Sequence, residues 1–188
     1  MIGSVLARLI ELLSPASGSW LVGGSCGLLL QGVALSREPR DLDLYADEPL
    51  VAEIYNKLST FAVDGPAFSR TDRYESTLSH FLIDNATVEL VGGFKVRSME
   101  SEYEVEAEWT AAECARLYKL GGQSLLVMPL AHELLFNLLR ERPDRYVPIA
   151  GHMKGNLSET ETLKELIRRN HISKRVVKQC SELLGAVL

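Results

Sequence analysis

Cysteine is scarce in this sequence, and its three residues stand far apart along the chain. Cys26, Cys114 and Cys180 form no disulfide framework and show no spacing typical of metal ligands. Apolar runs long enough to cross a bilayer are also missing, and the first residues show no secretory-signal pattern. These absences predict a cytoplasmic protein with free thiols and no membrane partner.

An excess of positive charge is missing as well. The 188 residues include 20 Lys and Arg against 25 Asp and Glu, which gives a net charge of -5. General nucleic-acid binders are usually basic, so this balance argues against that class. The 46% hydrophobic content can form a substantial core. We expect an α/β domain over residues 1–128 and a helical segment over 129–188 that packs on it.

The most informative stretch is Leu21–Ser25, in which an apolar strand meets two glycines. Gly23 and Gly24 let the backbone turn sharply and approach a ligand closely. Ser25 can cap the helix that follows, and the free N–H groups and positive dipole end of such a helix attract phosphate. Gly23, Gly24 and Ser25 are therefore predicted to form a phosphate-binding turn.

A pair of carboxylates follows on the next predicted strand, Asp41-Leu42-Asp43-Leu44. Because strand side chains alternate between faces, Asp41 and Asp43 point one way and the two leucines point into the core. Two neighbouring carboxylates repel each other unless a cation lies between them. A divalent ion that prefers oxygen ligands, Mg²⁺ or Mn²⁺, is the usual reason for such a pair. A phosphate turn beside it indicates phosphoryl-group transfer.

Gly-Gly-Ser, a helix and then Asp-Leu-Asp-Leu resemble the signature of the nucleotidyltransferase superfamily, which has the DNA polymerase β-like fold. The small bacterial branch, with aminoglycoside and lincosamide nucleotidyltransferases and abortive-infection toxins, is the most similar. Arg37 and Arg40, just before the carboxylates, also fit that branch. The resemblance implies a twisted mixed β-sheet backed by helices. It further implies transfer of a nucleoside monophosphate from an NTP, with ATP expected, to a hydroxyl acceptor that the sequence does not identify.

In that family a later strand supplies a third carboxylate, and Glu89 stands at the matching place. It is predicted to complete the metal site with Asp41 and Asp43 or to take the proton from the acceptor hydroxyl. A solvent-facing role on its strand is the alternative. Arg37 and Arg40 are expected to offset charge on the leaving group. The family's helix lysine is missing, because Asn137 or Leu138 stands there and residues 142–145 are only a loose substitute.

The remaining sequence predicts a helix at the start of the chain, strands near 79–91 and a hairpin at Gly121-Gly122. Residues 62–79 are expected to form a polar loop over the site, and the alternating glutamates of residues 100–108 a strand with one acidic face. A helix from Pro129 to about Arg142, a connecting loop to 156 and two basic helices follow. A capping box at Ser158 is expected to open the first of these.

Three alternatives stay open. A dinucleotide-binding Rossmann unit has an acid about 20 residues after its glycines, but it needs G-x-G-x-x-G and only one acid. A catalytically inactive protein of the same fold, serving as a nucleotide-binding or partner-binding module, would explain the missing lysine. A toxin-like enzyme acting on tRNA is disfavoured by the net acidity and favoured by the basic C-terminal helices.

Overall fold

The computed structural model describes residues 2–188. Within that range the chain forms eight helices and one open, mixed sheet of eight strands. None of these helices is long and apolar enough to cross a membrane. The helices are α1 Ile2–Leu13, α2 Gly24–Leu30, α3 Glu48–Leu58, α4 Ala107–Glu113, α5 Leu130–Leu139, α6 Pro143–Met153, α7 Leu157–Arg169 and α8 Lys174–Leu184. The strands are β1 Trp20–Gly23, β2 Asp41–Ala46, β3 Ala67–Arg70, β4 Tyr74–Ile83, β5 Ala86–Ser98, β6 Ser101–Glu104, β7 Arg116–Leu120 and β8 Gln123–Val127.

The sheet follows the order β3-β4-β5-β2-β1-β8-β7, with β6 paired to β5. Strands β1 and β2 are antiparallel, whereas β2 runs parallel to β5 and β1 runs parallel to β8. The predicted twisted mixed sheet with helices is therefore confirmed. The single pair between β1 and β8 joins Val22 and Val127 near the middle of the sheet.

Side-chain alternation divides the core into two apolar clusters, one on each face of the sheet. Val22 and Leu44 belong to the cluster that includes α1 and α3. Leu21 and Tyr45, one residue away in each strand, belong to the cluster that includes residues of α5–α8. Asp41 and Asp43 share the side of Tyr45, so they lie on the face covered by the C-terminal helices.

Four local predictions were wrong. Residues 62–79 are largely the β3–β4 hairpin rather than a polar loop, and the alternating glutamates are a strand only over Ser101–Glu104. The chain turns into α4 because the Asp47 carboxylate accepts hydrogen bonds from the backbone N–H groups of Ala107 and Glu108.

The third and fourth errors concern the C-terminal segment. The expected loop over 143–156 contains α6, which starts at Pro143, because proline is well tolerated in the first turn of a helix. The N-cap of α7 is Asn156, whose side chain accepts a hydrogen bond from the Glu159 N–H, rather than Ser158.

Candidate active site

A polar pocket of about 340 Å³ opens between the carboxylate strands and the C-terminal helices. Seven of the eight predicted site residues line it, while Gly23 lies just behind its wall at the end of β1. The seven are Gly24, Ser25, Arg37, Arg40, Asp41, Asp43 and Glu89. Other lining residues include Tyr45, Glu133, Phe136, Asn137, Arg140, Arg142 and Arg145. The fold thus brings together residues that are far apart in the chain.

Three carboxylates meet in this pocket from two neighbouring strands. Asp41 and Asp43 are on β2, and Asp43 is in register with Glu89 on the parallel strand β5. Burial raises the pKa of Asp43 to about 7, and repulsion from Asp41 and Glu89 adds to this effect. Burial also raises the pKa of Glu89, with a smaller contribution from Asp41. The carboxylates therefore form a crowded, acidic patch rather than a neutralised network.

The glycine turn packs directly against this patch. Gly24 has φ +58°, in the left-handed region that favours glycine, and a Cβ placed on it would overlap the Asp43 carboxylate. Ser25 is not the cap of α2: the helix begins at Gly24, and its N-cap is Gly23, which offers no side chain. The glycines were predicted to approach a ligand closely, and in the structure Gly24 closely approaches the Asp43 carboxylate.

Glu133 on α5 lies behind the glycine turn, and sequence analysis missed it. Its side chain is fully buried, and its Oε1 accepts a hydrogen bond of 2.6 Å from the backbone N–H of Gly24. The amide of Asn137 donates to Oε2 over 3.2 Å. Burial raises the pKa of Glu133 to about 8. No pattern in the sequence singles out this acid, because the predicted helix is apolar on most sides.

Five arginines surround the acidic patch. Arg37 and Arg40 were predicted as site residues. Residues 142–145 were considered only as a loose substitute for family residues, and Arg140, which follows α5, was not predicted. The charges of Arg140 and Arg145 lower the pKa of Asp43 against the raising effect of burial. Arg140 also lies over the Phe136 ring, 4.9 Å from its centroid. Arg142 pairs with Asp144 over 2.8 Å.

A histidine borders the patch on the side of Glu89. His80, on β4, is directly opposite Glu89 in the sheet, and its Nε2 lies 3.8 Å from Glu89 Oε1. Asp64 makes two contacts with His80. Its carboxylate accepts a hydrogen bond from the His80 backbone N–H at 2.7 Å and lies 2.6 Å from the His80 Nδ1. Glu89 is therefore flanked by an imidazole that Asp64 orients.

A divalent cation fits the donor chemistry of the patch, although the ligands are not preassembled. Within residues 2–188, no group of three or more His, Cys, Asp or Glu side chains is arranged to hold a metal ion. The three carboxylates are nevertheless the oxygen donors that Mg²⁺ prefers. Burial and the neighbouring acids raise the pKa of Asp43 and so disfavour its charged form, and a bound cation would favour that form.

No protein-family model and no curated protein matches this sequence. Solved structures do match. A proposed nucleotidyltransferase from Thermotoga maritima has a TM-score of 0.63 and 24% identity, covering 88% of this chain and 92% of that one. The antibiotic-resistance factor ANT(2'')-Ia has a TM-score of 0.54 and 12% identity, covering 89% of this chain and 91% of its own.

A crystal structure of ANT(2'')-Ia in complex with adenylyl-2''-tobramycin has a TM-score of 0.52 and 11% identity, and the match covers 89% of this chain and 97% of that one. The fold is therefore the nucleotidyltransferase fold, as the resemblance of the Gly-Gly-Ser and Asp-Leu-Asp-Leu motifs implied.

Proposed function

We propose that this protein is a nucleotidyltransferase, which transfers a nucleoside monophosphate from an NTP to a hydroxyl acceptor and releases pyrophosphate. One observation carries the proposal: three carboxylates from two strands share a pocket with a glycine turn and several arginines. ANT(2'')-Ia, which has the same fold, forms a complex with an adenylylated antibiotic. ATP is the expected nucleotide.

In this proposal, Asp41 and Asp43 hold the divalent cation, with Glu89 as a third ligand or as the general base. The cation, when bound, would act as a Lewis acid that offsets negative charge on the phosphate. Glu89 takes the proton from the acceptor hydroxyl, whose oxygen forms a bond to the α-phosphorus. The bond from that phosphorus to the bridging oxygen breaks, and the electron pair leaves with pyrophosphate.

The positive charge for the leaving group comes from the arginines rather than from the family's helix lysine. Asn137 cannot take that role, because its amide donates to the backbone oxygen and the side chain of Glu133. Arg140 and Arg145 already act on the Asp43 carboxyl, so they are close enough to stabilise a nearby phosphate charge. Arg37 and Arg40 face the same pocket. Since the Gly24 N–H is bonded to Glu133, Ser25 is the phosphate contact of the turn.

The proposal is tested by pyrophosphate release from Mg-ATP, measured with small polyols, proteins and tRNA as acceptors. We expect Asp43→Asn to abolish release, because the cation loses a central ligand, while the protein still melts cooperatively. Asp84→Asn is the matched control, since Asp84 is in the β4–β5 turn outside the pocket. Equal release by Asp43→Asn and wild type would refute the catalytic role.

A non-catalytic nucleotide-binding module is the second candidate. Two observations favour it. The Asn137 amide is hydrogen-bonded to Glu133 and so is not free to bind a phosphate, and the carboxylates are not arranged in advance to hold a metal ion. This candidate predicts Mg-ATP binding by calorimetry without pyrophosphate release for any of the three acceptor classes. Release by the wild-type protein would exclude it.

A further inference from the structure

Helix α5 reaches the candidate site through a side chain that the proposed chemistry does not use. Its ten residues are all buried, and most are apolar. Glu133 is the acidic exception, and none of its side chain is exposed. Within residues 2–188, it forms no ion pair with Lys or Arg, and its hydrogen bonds come from the Gly24 backbone and the Asn137 amide. A buried carboxyl without a cation is costly, so a specific use is expected.

The use is indicated by what the Gly24 backbone contacts on its other side. The left-handed Gly24 lies so close to Asp43 that any Cβ would collide with the carboxylate. The backbone of Gly24 is therefore held between two acids: Glu133 accepts its N–H, and Asp43 packs against its Cα. A Cβ on Gly23 would also approach Glu133 Oε1, at 3.1 Å. The position of the Gly23–Gly24 turn therefore limits where the Asp43 carboxylate can lie.

We propose that Glu133 is a positioning residue, which holds the Gly23–Gly24 turn so that Asp43 and Ser25 face a common Mg-nucleotide. It acts through the Gly24 N–H and does not itself touch the nucleotide. Asn137 holds the second oxygen of Glu133, and its side chain also donates to the Glu133 backbone oxygen, one turn earlier in α5. Asn137, one of the two residues that can stand at the place of the family's lysine, therefore supports Glu133. The part of the proposal that concerns nucleotide affinity depends on the proposed function.

Three variants and one wild-type measurement test the proposal. Glu133→Gln keeps a carbonyl oxygen for the Gly24 N–H, whereas Glu133→Leu fills the space without an acceptor. Leu138→Ala is the matched control: Leu138 is buried in the same helix, lies outside the pocket lining and will destabilise the core. The dissociation constant of Mg-ATP is measured by calorimetry below each variant's melting temperature. Amide exchange of Gly24 is measured in the wild-type protein.

We expect Glu133→Leu to weaken Mg-ATP binding at least tenfold, while Glu133→Gln and Leu138→Ala stay within about threefold of wild type. The Gly24 amide should be strongly protected from exchange. Unchanged affinity of Glu133→Leu, equal weakening by Glu133→Leu and Leu138→Ala, or Glu133→Gln as weak as Glu133→Leu would overturn the proposal.

Should Glu133→Leu fail to fold, fast exchange of the wild-type Gly24 amide would still overturn the proposal, because the turn would then not be held. Absence of Mg-ATP binding by the wild-type protein would instead refute the proposed function, and the exchange result would stand on its own.

Discussion

Two buried glutamates lie in helix α5 or against its first turn, and their surroundings differ. Glu159, on α7, is 1% exposed and receives two hydrogen bonds from the Arg116 guanidinium, at 2.8 and 2.6 Å. It also accepts the backbone N–H of Ala131 at 2.8 Å. Glu133 is equally buried but is met only by amides, and burial raises its pKa to about 8.

The presence or absence of a paired arginine distinguishes Glu159, which stabilises the fold, from Glu133, which lines the candidate site. Glu159 joins α7, the start of α5 and β7 with its charge neutralised by Arg116. Glu133, Asp43 and Glu89 are buried or half-buried close together, and each has a raised pKa. Ionisable groups with pKa values shifted by burial and like charge are typical of functional sites.

The largest effect is expected from removing the neutralising partner of Glu159. Arg116→Met should lower the free energy of unfolding by about 3 kcal/mol, because a fully buried carboxylate loses its cation. Urea denaturation measures this change. Arg168→Met is the control, since Arg168 forms an exposed pair with Glu165 that contributes less than about 1 kcal/mol. Similar losses in both variants would contradict the structural role of the Arg116–Glu159 pair.

The acids of the pocket should make the protein less stable as the pH rises. Folding raises the pKa of Asp43 from 3.8 to about 7 and that of Glu133 from 4.5 to about 8. In the unfolded chain both acids ionise near pH 4, whereas the folded protein keeps their protons longer. The free energy of unfolding should therefore fall between about pH 4 and 8 and level off above this window.

Melting temperatures from pH 5 to 8.5 measure this dependence. Asp43→Asn should show a smaller fall, because one of the two groups no longer ionises. Added Mg²⁺ should raise the melting temperature of the wild-type protein at pH 8 more than that of Asp43→Asn. A melting temperature that is flat or rises over this range would show that the pocket acids are not protonated by burial.

The smallest effect on stability is expected from substituting glycine. Gly24 of the glycine turn can be compared with Gly121 of the β7–β8 turn, because their φ angles are nearly equal. Gly24 has φ +58° and touches Asp43, whereas Gly121 has φ +55° and no atom within 4 Å of the position that a Cβ would take. Gly121→Ala should cost about 1 kcal/mol from backbone strain alone, and Gly24→Ala about 1–2 kcal/mol more. Urea denaturation measures both.

Mg-ATP affinity should separate the same two variants. Only Gly24→Ala is expected to lose nucleotide binding, because only its new methyl group displaces the Asp43 carboxylate. Equal costs and equal affinities for the two variants would show that the turn does not constrain Asp43.

The parts of the site that follow local rules could be predicted from the sequence. The shared face of Asp41 and Asp43 depends only on strand alternation, and the sharp turn depends on Gly23 and Gly24. Glu89 was placed by the family resemblance, because its register with Asp43 joins strands distant in the chain. Glu133 was missed since α5 is buried on every side, which leaves no amphipathic pattern to mark one acid as inward.

Fold errors occurred where tertiary contacts decide the local structure. Strand β3 is exposed at all four positions, so it lacks the alternation that marks a half-buried strand. The glutamate alternation continues past Glu104, but Asp47 caps a helix there from 60 residues away in the chain. Pro143 suggested a loop because proline both breaks helices and begins them, and its position relative to α6 decides which.

The central position of β1 has a consequence for how the protein is made. Strand β1 is synthesised before its neighbour β8, with strands β2–β7 between them in the chain, so one edge of β1 stays unpaired until β8 emerges. Glu133, which accepts a hydrogen bond from the turn at the end of β1, is synthesised after β8. The candidate pocket is therefore complete only after α5 has been synthesised, and until then the sheet face that α5–α8 cover is open to chaperones.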